Sequence, residues 1–329
     1  MKISVIGGVS STAVLIEKLG EHGIRDVHVY GYVPQSDPDN VSGWVDLRDL
    51  AGRLGYGYDS FTKVEECRSY ILRATQPDWI FVVGLSQLLP TDLVEIPRYG
   101  CIGFHPTALP RGRGRAPIAW MILEQVGGAA TFFLIDKQVD GGSIVAQVAF
   151  DVLPCDDASA VEEKILGAER LALDQLLSAI KRGHVEPRPQ DHSAATWFGR
   201  RAPEDGWIDW NQPMSQIWRL VLASTTPHPG AYTFHAGSKI KIWHATPASE
   251  DAQKGVVGRI LQCDDEGRFV VQCGEGQLLV SKWESPDGWS PKTGARLGYY
   301  TEDEVYRLKK RVADIEEALA ELRRKQMST

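Results

Sequence analysis

The first 84 residues alternate short apolar runs with amphipathic ones, and few architectures accommodate that alternation. "KISVIG" (2–7) and "VHVYGYV" (27–33) have the length and β-branching of buried strands, and "DWIFVVG" (78–84) is a continuous apolar run. Between them, "SSTAVLIEKLGEHG" spaces Val14, Ile16 and Leu19 for a helix, behind a Ser/Thr cluster suited to an N-cap. "DLRDLAGRLG" and "VEECRSYILRA" read as two further helices. Strands separated by helices of this length form a parallel sheet covered on both faces. The order is doubly wound, and such sheets bind ligands beyond the carboxyl ends of their strands.

Three loops are expected to gather at that edge: "GLSQLLP" (84–90), "FHPTALP" (104–110) and "DKQVDGGS" (136–143), the last between "ATFFLI" and "IVAQVAF". The second belongs to "GFHPTALPRGRGRAP" (103–117), a stretch costly to fold: prolines remove donors, glycines add unfolded-state entropy, and arginines repel one another. His105 stands at its start, stiffened by Pro106 and Pro110. The third loop brings Asp140, followed by Gly141 and Gly142, which let a ligand approach the main chain. An imidazole with a carboxylate beside it is a base with its orienter. No serine sits in a nucleophile elbow and no cysteine is suitably placed, so the pair suggests transfer between two bound substrates without a covalent enzyme intermediate.

Farther on, a long amphipathic helix is expected from Ala158 to Lys181, with Val161, Ile165, Ala168, Ala172, Leu176 and Ile180 on one face. Composition changes near residue 190, where "ATWFGRRAPEDGWIDWNQP" reads as a crossing segment. A helix, "SQIWRLVLAS", and several short strands with glycine turns follow, suggesting a small OB-like barrel. From Thr301 the pattern is a coiled-coil seam: Val305, Leu308, Val312, Ile315, Leu319 and Leu322 among charged residues. The expected organisation is therefore α/β: a catalytic domain over 1–195, a small β-rich domain over 196–300, and a helix over 301–329 that joins two copies into a homodimer.

With 43% apolar and 24% charged residues, the chain has an ordinary globular composition. A net charge of −7 argues against a protein that lives on nucleic acid. Five cysteines without a C-x-x-C pair suggest reduced thiols, and the histidines show no metal-ligand spacing, so no metal site is expected. "MKISVIGG" lacks a signal-peptide pattern, and no apolar run approaches the roughly 18 residues that span a bilayer. These features together suggest a cytoplasmic protein with no membrane partner. "IGGVSST" lacks the third glycine of a dinucleotide fingerprint and reads as a tight strand–helix turn.

"FHPTALPRGRGRAPIAW", "VDGGSIVAQ" and "ATWFGRRAPEDGWIDW", in that order, resemble three signatures of the N-formyltransferases that use 10-formyltetrahydrofolate, over roughly residues 1–245. That family includes methionyl-tRNA formyltransferases and the nucleotide-sugar N-formyltransferases of surface-polysaccharide synthesis. The resemblance implies a Rossmann-like formyl-folate domain followed by a smaller C-terminal domain. It aligns His105 with the family's catalytic histidine and Asp140 with its aspartate. It places the pterin against Ser86, Gln87, Leu88 and the main chain of Val139, Gly141 and Gly142. Thr107, Arg113 and Arg115 become candidates for substrate contact; the two arginines are either solvated charge or forks for a folate tail or a diphosphate.

One position departs from the pattern. The family's asparagine two residues before the histidine is Gly103 here. That amide helps hold the tetrahedral oxyanion, and losing such a donor costs about 10²–10³ in rate. Protonated His105, a backbone N–H, a water in the vacated space, or Gln87 are the candidate substitutes; otherwise the chain is a catalytically impaired folate-binding protein. For the acceptor, a tRNA needs a basic surface, whereas "QSDPDN" (35–40) is acidic. The expected acceptor is a nucleotide-linked amino sugar, with Trp197, Trp207 and Trp210 available either for stacking or for core packing; methionyl-tRNA is the alternative.

Overall fold

A computed structural model of the chain describes residues 1–35, 43–73, 76–248, 253–286 and 288–326. By their contacts the residues fall into two units, Met1–Asp205 with Leu222–Pro229, and Gly206–Val221 with Gly230–Thr329. The acidic "QSDPDN" stretch lies almost wholly outside the described residues.

The first unit runs β1 (Lys2–Gly7), α1 (Ser10–Glu21), β2 (Asp26–Tyr32), α2 (Arg48–Leu54), β3 (Gly57–Phe61), α3 (Glu65–Arg73), β4 (Trp79–Val83), α4 (Thr91–Val94), β5 (Gly100–His105) and β6 (Arg113–Gly114). It continues through α5 (Pro117–Glu124), β7 (Gly128–Leu134), β8 (Ile144–Phe150), α6 (Ala158–Lys181) and β9 (Trp197–Phe198). Seven strands form one sheet in the order β3-β2-β1-β4-β5-β7-β8. The pairings from β3 to β5 are parallel. Those of β7 and β8 are antiparallel; between β7 and β8, residues 135–143 are too few for a crossover of about a dozen residues.

The winding reverses between β1 and β4, where doubly wound folds bind ligands. Here the turn after β1 is filled by its own chain. Thr12 Oγ1 accepts from the amides of Gly8 (3.1 Å) and Val9 (3.2 Å) and donates to the Val83 carbonyl (2.8 Å). The helix α1 is thus steadied from its first turn, not by a side chain at its N-cap, which is Val9. β3 escaped the sequence pattern because "GYDSF" buries only Phe61.

α6 begins where expected because Asp157 accepts a hydrogen bond from the amide of Ala160 (2.9 Å). It buries Val161, Ile165, Ala168, Ala172, Leu173, Leu176, Leu177 and Ile180. One polar side chain shares that face: Glu169 is fully buried and neither carboxyl oxygen has a hydrogen-bond partner. Burial raises its pKa well above the ordinary 4.5, offset in part by the neighbouring Ser11 and Arg170.

The boundary expected at 195/196 falls inside the first unit, because β9 pairs with β6. α7 (Met214–Ser224) is divided between the units after Val221. The second unit holds β10 (Ala231–His235), β11 (Ser238–Pro247), β12 (Ile260–Cys263), β13 (Phe269–Gln272) and β14 (Gln277–Glu284), an antiparallel sheet ordered β10-β11-β14-β13-β12. Its core includes Trp210, Ile217, Ile242, Phe269, Val271 and Val280. α8 (Thr301–Gln326) is one continuous helix. Among the described residues, no helix is long and apolar enough to cross a membrane.

Candidate active site

His105 is the last residue of β5 and is 6% exposed. β4 and β5 are parallel neighbours, so the loops at 84–90 and 104–110 leave the sheet at one edge. The 136–143 loop joins the second of these: Asp140 Oδ2 lies 3.8 Å from His105 Nδ1. That separation is an ion-pair contact and too long for a hydrogen bond. The imidazole is oriented instead by the backbone, since Nε2 lies 2.8 Å from the Gly112 carbonyl. A carbonyl only accepts, so Nε2 carries a proton and Nδ1 is the ring nitrogen that faces Asp140. The expectation that the carboxylate fixes the tautomer is therefore corrected: the Gly112 carbonyl does so.

Asp140 is held from two directions. Its Oδ2 accepts from the Gly114 amide at 2.9 Å. Its backbone is left-handed, with φ of 52°, a strained conformation for a residue with a Cβ. The side-chain amide of Gln190 donates to the carbonyls of Asp140 (2.8 Å) and Gly142 (2.7 Å) and stabilises that turn. A glycine is obligatory at 142, where a Cβ would lie 1.7 Å from the Leu134 carbonyl oxygen.

Gln190 is itself oriented by Arg113, whose Nη2 donates to Gln190 Oε1 (2.7 Å) and to His192 Nδ1 (3.1 Å). Arg113 is fully buried, its guanidinium over the Trp197 ring at 5.6 Å, with Nε and Nη1 unbonded. It is thus neither a solvated charge nor a fork aimed at substrate; β6 and β9 enclose it. Arg115 is exposed and remains available to an anionic group. Thr107 is buried and its hydroxyl donates to the Arg111 carbonyl (2.9 Å), closing its own turn.

Around the first loop, Ser86 and Leu88 are exposed. Gln87 is committed elsewhere: its Oε1 accepts from the Val64 amide (2.8 Å) and its Nε2 donates to the Thr62 carbonyl (2.9 Å). Val139 is exposed, whereas Gly141 and Gly142 are buried. Gln87 is therefore no substitute for the missing asparagine. Nor is there a vacated space for water at Gly103, because a Cβ there would lie 2.8 Å from Phe133 Cζ and 3.0 Å from Ile135 Cγ1. The antiparallel register sets Phe133 opposite Gly103. Of the four candidate donors, protonated His105 and a backbone N–H remain.

Thr107 and Gly112 also line a cavity of about 630 Å³, completed by Trp120, Glu124, Trp197 and Phe198 among others. The Trp120 and Phe198 rings stack at 6.0 Å. Trp197 is 54% exposed, whereas Trp210 is buried, with its Nε1 donating to Thr233 Oγ1 (2.9 Å). The buried thiols of Cys67, Cys101 and Cys273 are pushed up to about 12 by desolvation, which suits packing and not nucleophilic work. Among the described residues, no group of three or more His, Cys, Asp or Glu side chains is placed to hold a metal ion.

An imidazole held by a backbone carbonyl at the end of β5 and a carboxylate in a strained glycine turn stand together at one edge of the sheet. The family model described as formyl transferase matches residues 1–177, and the formyl transferase C-terminal domain matches residues 201–290. The chain belongs to the formyl transferase family. A methionyl-tRNA formyltransferase of Geobacter sulfurreducens is 34% identical over 214 residues, which cover 64% of this chain and 65% of that protein. The match therefore spans just under two thirds of that relative's length. Solved structures that share the fold include two with folate compounds bound. An N-formyltransferase from Helicobacter canadensis, in complex with folinic acid and dTDP-3-aminofucose, superposes with a TM-score of 0.65 at 17% identity, over 86% of this chain and 100% of that one. HypX from Aquifex aeolicus, in complex with tetrahydrofolic acid, does so with a TM-score of 0.61 at 20% identity, over 89% of this chain and 46% of that one.

Proposed function

We propose that this chain is an N-formyltransferase that moves the formyl group of 10-formyltetrahydrofolate to the amine of a nucleotide-linked amino sugar. The observation that carries the reaction is the His105–Asp140 pair, with Nδ1 3.8 Å from the carboxylate oxygen. The acceptor nitrogen attacks the formyl carbon and a tetrahedral oxyanion forms. His105 Nδ1 takes the proton lost by that nitrogen, and Asp140 stabilises the resulting imidazolium. The bond between the formyl carbon and N10 of the folate then breaks, and the proton passes to N10. With Gly103 unable to contribute a side chain, the oxyanion is met by the imidazolium itself and by main-chain N–H groups. Ser86, Leu88 and the main chain of Val139, Gly141 and Gly142 form the proposed folate contacts, with Gln87 as the brace of its loop.

For the acceptor, the aromatic cavity beside the 107–112 turn suits a planar base, and exposed Arg115 suits a diphosphate. The net charge of −7 disfavours a polyanionic tRNA. In this reading the enzyme is cytoplasmic and serves surface-glycan synthesis. The 34% identity to a methionyl-tRNA formyltransferase favours a second reading, in which the acceptor is charged initiator tRNA.

The test is incubation of the purified protein with 10-formyltetrahydrofolate and either a panel of nucleotide-linked amino sugars or methionyl initiator tRNA. Mass spectrometry then reads the gain of one formyl group. Formylated sugar supports the proposal and formylated tRNA supports the second reading. Folate binding without transfer to either would make the chain an impaired relative.

A further inference from the structure

α8 buries none of its side chains. Val305, Leu308, Val312, Ile315, Leu319 and Leu322 form a single apolar line along it, each between 42% and 61% exposed. At 26 residues the helix is about 39 Å long, and a free helix bearing such a line is marginal in water. The seam is also narrow. Val305, Val312 and Leu319 occupy the a positions of three heptads and Leu308, Ile315 and Leu322 the d positions. The flanking g positions are Glu304, Arg311 and Ala318, and the e positions are Lys309, Glu316 and Arg323. A helix destined for its own domain's core carries a broader stripe. Valine at two of three a positions and leucine at two of three d positions suit two parallel strands.

We propose that α8 joins two copies of this chain as a parallel, in-register coiled coil. The argument is charge complementarity. In that arrangement each g residue faces the e residue five positions later on the other helix. Glu304 then meets Lys309 of the second copy, Arg311 meets Glu316 of the second copy, and Ala318 meets Arg323 of the second copy. Symmetry repeats each contact, and no like charges oppose one another. Glu304 already pairs with Arg307 of its own helix at 3.1 Å, so Arg311 and Glu316 carry most of the specification.

The experiment uses the full chain and sedimentation equilibrium, with circular dichroism to verify that each variant keeps its fold. The wild type should be a dimer. Arg311→Glu sets glutamate against Glu316 on both sides, and Glu316→Arg sets arginine against Arg311. Each should raise the dimer dissociation constant by about tenfold or more. An equimolar mixture of the two variants restores opposite charges on both sides and should return to wild-type affinity as a heterodimer. A monomeric wild type, single variants that associate like wild type, or a mixture no tighter than its components would each overturn the proposal. So would a chain ending at Tyr300 that remains dimeric.

Discussion

Gln190 grips Asp140 by its backbone and not by its carboxylate, with 2.8 Å from the side-chain amide to the Asp140 carbonyl oxygen. The same amide nitrogen reaches Gly142 O, so one side chain clamps both ends of the left-handed turn. In Gln190→Leu the clamp is lost and Asp140 is free to leave the strained region. Turnover should fall about 10²-fold, the cost typical of a misplacement near 1 Å. Gln190→Glu, which loses the donors but keeps an acceptor for Arg113, should lose turnover while sparing most of the stability. Steady-state rates together with thermal melts separate these effects. Wild-type turnover in Gln190→Leu would show that the turn holds without the clamp.

Removing the imidazole or the charge beside it tests the proposed chemistry more directly. His105→Ala should lower formyl transfer by about 10²–10⁴-fold. Asp140→Asn retains an oxygen for the Gly114 amide, so the loop should persist while the imidazolium loses its counter-charge; a loss of similar order is expected. Rates are compared at matched folded concentration, verified by circular dichroism. Near wild-type rates in either folded variant would remove that residue from the mechanism.

Gly103 makes an unusual prediction about restoring a lost group. Gly103→Asn alone should destabilise the protein by about 1–3 kcal/mol, because its Cβ meets the Phe133 ring. Paired with Phe133→Ala, the asparagine gains room. The double variant should then outpace a Gly103→Ala/Phe133→Ala control. Equal rates in the two double variants would show that the missing donor does not limit turnover.

Glu169 gives a pH signature independent of catalysis. Its folded pKa is raised by burial, so the native state keeps a proton that the unfolded chain sheds near pH 4.5. Its contribution to stability is therefore fully present below that pH and is lost as pH rises toward the folded pKa. Glu169→Met should remove this dependence and stabilise the protein by about 1–3 kcal/mol at pH 8, the usual cost of an unsatisfied buried polar group. Urea melts at pH 5 and pH 8 measure the difference. An identical shift at both values would contradict a titrating Glu169.

The parts of the fold that were legible in the chain are those whose burial repeats with a period. α6 and the seam of α8 declared themselves by helical spacing, and β1, β2 and β4 by runs of β-branched residues. β3 did not, because an edge strand with one buried residue leaves no alternation to see. His105 and Asp140 stood out because proline and glycine crowd around them. Their supports did not. The carbonyl of Gly112 has no signature in any sequence, and Gln190 sits in an irregular segment without a motif. The Phe133 ring over Gly103 is a matter of register between β5 and β7, which only the paired strands display. The burial of Arg113 is hidden for a related reason: its loop sequence leaves solvent and an anionic group equally open, and only the pairing of β6 with β9 shows the enclosed position.

The pairing of Arg113–Gly114 with Trp197–Phe198 also bears on the order in which a working molecule is made. His105 on β5 and Asp140 in the loop between β7 and β8 are both synthesised before Gln190 and β9 leave the ribosome. A nascent chain that stops after α6 can complete its sheet, yet it has neither the clamp on Asp140 nor the rung that presents the Gly114 amide. The smallest segment able to organise this site therefore reaches past Phe198, beyond the stretch that the sheet itself requires. The proposed site is thus completed last, after the scaffold, and a chain arrested between the two would carry the sheet without its Asp140 clamp.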